Sequence, residues 1–590
     1  MPVSPFSCRS ATIIAGLLYA LSFSSHASST LNLTVDLDAS LVYLWPLPTT
    51  FTLGTETLTV DPALSLDVGG NGGGSKILRD AFERYKRIIF KHRTSRVSRI
   101  ELMGGSPYDV SALKVIVEEG SEELQLGVDE SYSLYVGRSE GLSILGEATI
   151  EAKTVYGALR GLETFSQLCA FDYITKSVQV YKAPWFIQDQ PRFAYRGLML
   201  DTSRHYLPID VIKQVIESMS YSKLNVLHWH IIDEQSFPLE VPTYPNLWKG
   251  SYSKWERYTI EDAHDIVNFA RSRGINVMAE IDVPGHAESW GTGYPDLWPS
   301  PVCREPLDVT KNFTFDVIDG ILTEMRKIFP FELFHLGGDE VNTGLQSGPE
   351  KHVSPCHWLS IFYDVKHNIL RNVDKDSCMK TYQADCWKKT SHIKQWLQDH
   401  NMTTKDAYQY FVLKAQELAL SHGWTPVNWE ETFNAFASNL SPQTVVHNWL
   451  GPGVCPKAVA RGFRCIFSNQ GVWYLDHLDV PWDEVYSAEP LEGIQKSSEQ
   501  DLILGGEVCM WGETADASNV LQTIWPRAAA AAERMWSSRE GVTRGNITTT
   551  VLPRFHYFRC LLTRRGVQAA PVSNFYARRP PTGPGSCYEQ

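Results

Sequence analysis

From Tyr195 to Glu513 the chain alternates two kinds of segment. Short apolar, β-rich runs occupy Tyr195–Asp201, Asn225–Asp233, Ile275–Asp282, Leu333–Glu340, Pro426–Glu431, Thr444–Trp449, Cys465–Asn469 and Ile503–Glu513. Between them lie stretches of helical periodicity, among them Ile209–Ser220, Glu261–Arg273, Phe315–Phe329 and Ala407–Ser421, with Gly274 and Gly423 where C-caps belong. Strands that alternate with helices pair in parallel. Eight such runs over roughly 320 residues predict a (β/α)8 barrel.

Before Pro191 the rhythm differs. Leu41–Leu53 and Leu113–Val117 have strand character, and Gly69–Gly74 reads as a flexible loop. Lys153–Leu168 is helical, with Val155, Leu159, Leu162 and Phe165 on one face. The predicted fold is therefore α/β: a smaller α/β accessory domain over residues 29–190, then a (β/α)8 TIM barrel over 191–590. Ala528–Ala532 reads as a helix packed closely on the barrel. The segment from about Arg554, which ends in the Pro/Gly-rich Pro580–Gly585, reads as a surface tail. Residues 344–384 find no place in the alternation.

The N-terminus changes the setting. Arg9, an apolar run from Ala11 to Phe23 and small residues from Ser24 to Ser28 form a secretory signal over residues 1–28, too short in its apolar part to span a membrane. No later stretch is apolar for long enough to predict a spanning helix. Sequons at Asn32, Asn312, Asn401, Asn439 and Asn546 agree with export. Of eleven cysteines Cys8 leaves with the signal, and the other ten enter an oxidising compartment. Localisation in the secretory pathway follows, with extracellular (apoplast) and vacuolar destinations both open. A formal net charge of -13 with no basic run argues against nucleic acid as a partner. Eighteen tryptophans suit a glycan substrate, because indole faces pack on the apolar faces of sugar rings.

Reactive residues gather at the C-terminal ends of the predicted strands, the edge where barrel active sites form. They are Arg204, Asp233, Asp282 with His286, Asp339 with Glu340, Trp429, Trp449, Tyr474 with Asp476, and Trp511 with Glu513. His335-Leu336-Gly337-Gly338-Asp339-Glu340 ends a strand in two carboxylates, and glycosidic cleavage needs an acid for the leaving oxygen. Neighbours on an extended strand point to opposite sides, so the two can meet one substrate only where the strand unwinds, which two glycines permit. Like-charge repulsion in a shared pocket biases one of them toward its protonated form. Asp282-Val283-Pro284-Gly285-His286 is a tight turn that can carry His286 back over the barrel mouth, and the three tryptophans can wall a narrow pocket. His228 and His230 lie on one side of a strand, a spacing shared by metal pairs and by packed, hydrogen-bonded histidines. Later strands end in Trp429 and Trp449 rather than further ligands, so no metal or other cofactor is expected.

In these motifs the chain closely resembles the plant-type β-N-acetylhexosaminidases of glycoside hydrolase family 20. The segments are Arg196-Gly197, Asp201 to Pro208, His228 to Asp233, Asp282 to His286, His335 to Glu340, Asn428-Trp429-Glu430-Glu431, Trp473 to Asp476 and Cys509 to Glu513. The resemblance implies retaining, substrate-assisted hydrolysis through an oxazolinium intermediate. By it Glu340 is the general acid and base, Asp339 orients the acetamido group, and Tyr474 hydrogen-bonds its oxygen. Arg204 and Glu513 hold outer hydroxyls, Asp233 and His286 support Glu340, and Trp429, Trp449 and Trp511 line the pocket. Asp476, a carboxylate near those hydroxyls, favours neutral substrates over sulfated or uronic ones. The substrate would present terminal β-linked N-acetylglucosamine or N-acetylgalactosamine on N-glycans, chito-oligosaccharides or glycoconjugates.

The family pattern pairs Cys303 with Cys386 and Cys560 with Cys587; its members commonly form homodimers, for which this sequence carries no interface signal. The chain departs from the pattern at 344–384, where an insertion four positions after Glu340 brings Cys356 and Cys378. An unspliced intron and a genuine loop are both open readings of it. The rival classes are a non-catalytic sugar-binding protein, a member inactivated by the insertion, and a metal-dependent barrel hydrolase.

Overall fold

A computed structural model describes residues 41–92, 108–137, 146–341, 386–543 and 546–572. The expected signal, Asn32, the 344–384 segment with Cys356 and Cys378, and the tail with Cys587 lie outside the described residues. Eight parallel strands close into a barrel: β1 (Tyr195–Asp201), β2 (Val226–Ile232), β3 (Asn276–Ile281), β4 (Leu333–His335), β5 (Thr425–Trp429), β6 (Val445–His447), β7 (Arg464–Phe467) and β8 (Ile503–Met510). β8 pairs back onto β1 from Gly505 opposite Tyr195 to Met510 opposite Leu200. All eight predicted runs become barrel strands; the first keeps its predicted bounds and the others are somewhat shorter than their apolar stretches. The four predicted helices form as Ile209–Tyr221, Ile260–Arg271, Asn312–Ile328 and Thr404–Ser421. Gly274 and Gly423 follow with φ of +68° and +78°, the left-handed conformation that ends a helix.

The accessory domain is one eight-stranded mixed sheet between Thr50 and Asp189. Helices Lys76–Ile89 and Val155–Leu168 pack on it. The second helix buries all fourteen residues rather than a single face. Its far side meets the barrel, where Arg160 donates to the carbonyl of Gly274 at 2.8 Å. Only Thr50–Thr52 of the expected Leu41–Leu53 strand pairs, because Pro46 and Pro48 cannot donate to a ladder. Trp45 is instead buried, its indole donating to the carbonyl of Ala529 at 2.9 Å. Gly69 ends a strand that begins at Glu56, so the glycine turn starts at Gly70.

Ala528–Ala532 lies in the helix Arg527–Trp536, wholly buried after its first residue. The chain from Arg554 is not a tail: Leu552–Arg565 is a helix. Arg554 is buried against Glu533, and Phe555 packs against Trp45 and Trp482 at 5.1 and 4.7 Å. Cys303 and Cys386 form a disulfide, and so do Cys455 and Cys465, a pairing that spacing alone does not give. Among the described residues no helix is long and apolar enough to cross a membrane. The described sequon residues Asn312, Asn401, Asn439 and Asn546 are exposed.

Glu130 joins the two domains. Its carboxylate stands 2.7 Å from Arg160 and 2.6 Å from Arg196, all three side chains buried. Burial pushes this carboxyl up, but the two guanidiniums outweigh it and hold it below the ordinary range. Removing one member of a buried ion cluster strands the others, so Glu130→Ala should destabilise the protein by about 3–5 kcal/mol. Denaturant unfolding followed by tryptophan fluorescence measures the loss, and turnover per folded molecule should stay unchanged.

Candidate active site

The C-terminal rim of the barrel brings the predicted residues together. β4 stops at His335, and the chain then passes through Gly337 (φ +61°) and Gly338 (φ +95°) to Glu340 (φ +50°). These left-handed residues break the strict alternation of a strand, and consecutive acids turn toward one imidazole. His286 Nε2 lies 3.7 Å from Asp339 and 3.6 Å from Glu340. His286 is itself at φ +53° after the Pro-Gly turn, and its Nδ1 is 3.1 Å from Asp233. Asp233 also binds Arg204 at 2.7 Å and His230 at 2.8 Å. Asp201 braces Arg204 at 3.1 Å and accepts the Gly512 N–H at 2.9 Å, tying the β1 loop to the β8 end.

Aromatic rings form the wall. Trp429 stands 6.0 Å from Trp511, and Tyr474 is stacked on Trp449 at 6.3 Å and 12°. Tyr474 also meets Trp511 at 6.0 Å, and the Arg204 guanidinium lies 4.9 Å from the Trp511 ring. Asp339 Oδ1, Arg204 Nε, Asp476 Oδ1 and Trp511 Nε1 are buried without a hydrogen-bond partner among the described residues. Buried polar atoms are ordinarily satisfied, so four such atoms around one aromatic cup mark a surface built for a polar ligand. Glu513 is exposed at the rim, within electrostatic reach of Arg204.

Protonation differs from the sequence expectation. Repulsion between paired acids does not fall on Glu340. That side chain is 56% exposed and faces His286, whose hydrogen bond holds its carboxyl below the ordinary value. Burial would lower His286, but Asp233, Asp282 and Asp339 more than offset it and hold it well above the usual imidazole value. The proton therefore rests on His286 in the unliganded protein. Repulsion falls instead on Asp282 and Asp339, both raised first by burial; Asp339 then raises Asp282, and Glu340 raises Asp339 against the lowering by His286. Burial, and then Cys509, Asp339 and Asp476, push the Tyr474 phenol well up, so it remains a donor.

The sequence places Asp282 among the rim residues without a role of its own; its carboxylate accepts the Gly338 N–H at 2.8 Å. Two further working residues escape the sequence reading. Glu431 holds the Trp449 indole at 2.9 Å. Glu280 collects His230 at 2.5 Å, His335 at 2.7 Å, His228 at 3.1 Å and the Trp429 indole at 3.0 Å. A lone glutamate inside the apolar run Val277-Met278-Ala279-Glu280-Ile281 was an available signal, since buried charges are rare unless paired.

Ligand-type atoms lie within 4.8 Å of one another in His228–Glu280–His335, His228–His447–Glu507 and Asp282–His286–Asp339. The His228–His230 pair is buried and shares Glu280, which meets the imidazoles as a carboxylate partner.

Acids at the end of a barrel strand, turned into a cup of aromatic rings, define a class: the glycoside hydrolases built on (β/α)8 barrels. Residues 193–539 match the Glycosyl hydrolase family 20 catalytic domain, and residues 44–168 match a beta-acetyl hexosaminidase like domain. The chain belongs to glycosyl hydrolase family 20. It is 69% identical over 551 residues to Beta-hexosaminidase 1 of Arabidopsis thaliana, covering 93% of this chain and 94% of that protein. With the human Beta-hexosaminidase subunit beta it shares 32% over 550 residues, 90% and 88% of the two chains. Among solved structures it superposes on a Flavobacterium johnsoniae chitobiase with TM-score 0.69 at 27% identity, covering 88% of this chain and 72% of that one. A Streptomyces plicatus N-acetyl-beta-hexosaminidase gives TM-score 0.65 at 20% identity, with 92% and 97% covered, a likeness of fold.

The glycine turn is testable. A Cβ on Gly337 would lie 1.9 Å from Asp282 Oδ1, in a conformation L side chains avoid. Gly337→Ala should abolish turnover while leaving thermal unfolding cooperative, because the displaced pair is Asp282 and the catalytic turn rather than the barrel core. Circular dichroism melting and a chromogenic assay on the same sample check both halves.

Proposed function

We propose that the chain is a retaining exo-glycosidase releasing terminal β-linked N-acetylglucosamine or N-acetylgalactosamine, with the substrate's acetamido oxygen as nucleophile. One observation carries the reading. Asp339 and Glu340 converge on the same imidazole nitrogen, 3.7 and 3.6 Å away. They therefore sit on one side of the pocket instead of flanking opposite faces of a sugar ring, as a two-carboxylate mechanism requires. The buried Asp339 with its free Oδ1 suits an acetamido N–H, and the Tyr474 hydroxyl suits the acetamido oxygen. The nucleophile then travels with the sugar.

The proton needed by the leaving oxygen starts on His286. Substrate that covers the half-exposed Glu340 removes water from its carboxylate, raises its proton affinity and draws the proton across the His286 contact. Glu340 passes that proton to the leaving group as the oxazolinium ion forms, with Asp339 balancing the positive charge. Glu340, again a base, takes a proton from the water that opens the ring. Arg204, Asp476 and Glu513 receive the outer hydroxyls, and Trp429, Trp449 and Trp511 enclose the ring. Passage through the secretory pathway to the apoplast or vacuole, glycosylation at the sequons and assembly as a homodimer belong to the same proposal.

Glu340→Gln should abolish hydrolysis of an aryl N-acetylglucosaminide with folding intact, and Asp339→Asn should slow it severely. Near-normal turnover by a folded Glu340→Gln protein would remove that residue from its role. Comparing the secreted chain with and without 344–384 separates an active enzyme from a sugar-binding protein or an inactivated member, and survival of activity in a chelator separates it from a metal hydrolase.

Burial, and then Glu513, raise the Asp476 carboxyl to about 6 against a lowering by His477. An acid gains its charge above its pKa, so the preference for neutral over 6-sulfated aryl substrates should widen as pH rises through about 6. Ratios of kcat/KM on the two substrates across that range test this, and equal rates on both would count against Asp476 as the discriminating group.

A further inference from the structure

Beneath the pocket lies a polar cluster that the proposed reaction does not itself use, and its centre is Glu280. This side chain is fully buried on β3, inside the barrel. One of its oxygens takes the Trp429 indole N–H at 3.0 Å and stands 2.7 Å from His335. The other takes His230 Nδ1 at 2.5 Å and stands 3.1 Å from His228. His230 presents its second nitrogen to Asp233 at 2.8 Å, and Asp233 binds His286, which faces Glu340. An unbroken series of contacts thus runs from the half-exposed acid to the barrel interior.

The direction of the hydrogen bonds is fixed by chemistry. Ionised carboxylates only accept, so an imidazole held between Glu280 and Asp233 must donate from both nitrogens. His230 is therefore an imidazolium, and a neutral group in place of Glu280 removes the reason for its second proton.

We propose that Glu280 is a positioning residue for the proton transfer at Glu340: by holding His230 with both N–H groups engaged, it fixes Asp233, and through Asp233 fixes His286 against the acid. The inference rests on the reading of Glu340 given above and extends it. Electrostatics agree with the geometry. Burial alone would lower His230, but Glu280 and Asp233 hold it up at about 10. Burial alone would raise Glu280, but His335, His230 and His228 hold it well below the carboxylate range.

The surrounding charges are accounted for on every side. On β2 His228 is raised to about 9 against burial by Glu507 and Glu280. His335 on β4 and His447 on β6 are lowered by burial, His335 against the pull of Glu280 beside it. Glu507 on β8 receives the Tyr195 hydroxyl from β1 and His228 Nδ1. Asp282 and Asp339 approach from the rim, and Glu305 and Glu234 face His286 from the loops, both raised by burial, Glu305 to about 7. His228 thus stands between Glu280 and Glu507, and His230 between Glu280 and Asp233. Losing Glu280 releases the proton of the imidazolium nearest the site.

The experiment is a double-mutant cycle in the full-length chain, reading kcat and KM for an aryl N-acetylglucosaminide against pH. Glu280→Gln should lower kcat by about ten-fold or more, the scale of losses from outer-shell partners, with KM changed by less than about three-fold. It should also displace the basic limb of the kcat profile. His230→Gln should do the same without touching Glu280, and the double variant should add little, because both break one series of contacts.

If Glu280→Gln fails to fold, His230→Gln must by itself show the kcat loss and the displaced limb. A pH profile of the folded variant that superimposes on the parent, or losses that simply add, overturns the proposal, since a structural role changes the amount of folded enzyme and not its titration. No turnover by the parent chain would instead overturn the reading of Glu340, so the two failures are distinguishable.

Discussion

Two adjacent carboxylates can serve one substrate only if the backbone between strand and loop abandons the alternation of a strand. Gly337 and Gly338 supply that reversal at positive φ, and Glu340 completes it in a conformation unusual for a residue with a side chain. The turn is held by Asp282, which accepts the Gly338 N–H, and by the Tyr408 hydroxyl, which donates to the Gly338 carbonyl at 2.5 Å. Asn428 donates to the Gly337 carbonyl at 3.0 Å. Strands β3 and β5 and a helix of the outer ring thus converge on one peptide segment. Without it Asp339 and Glu340 would face apart, and neither the His286 contact nor the aromatic cup would have an acid pair to serve.

The interior below that turn is unusually charged for a barrel core. Layers of branched side chains normally fill such a space. Here Glu280, Glu507, His228, His230, His335 and His447 are all buried in it. The arrangement holds because opposite charges are paired within hydrogen-bonding distance, which offsets the desolvation each ion suffers. It also places a polar scaffold of fixed orientation directly under the rim acids Asp339 and Glu340. Rigid dipoles that need not reorganise are what a charge-developing reaction exploits. Stability and chemistry therefore share the same residues, and Glu130 extends the pattern to the domain junction.

Much of this was legible in the chain. Eight apolar runs became eight barrel strands because parallel strands covered on both faces must be apolar almost throughout. The residues at their ends assembled because a barrel directs every strand end to one rim. What was misjudged had a local cause each time. Pro46 and Pro48 denied pairing to a segment of good strand composition, and the helix after Val551 looked like a tail because its partner surface is created only when the domains meet. Repulsion between Asp339 and Glu340 raises Asp339 and not the acid Glu340, which His286 holds down, and a third acid, Asp282, shares the strain.

The sequence by itself determined the strand and helix rhythm, the rim location of the acids and the presence of an acetamido-sugar motif set, because each depends on local periodicity or on residue identity. The tertiary structure decided which charges touch. Glu280 meets residues 50, 52, 55 and 149 positions away in the chain, and no local pattern encodes such a distance. Protonation was decided there too, since a proton's place between His286, Glu340 and Asp339 depends on burial and on a few ångströms of separation that only the closed barrel sets.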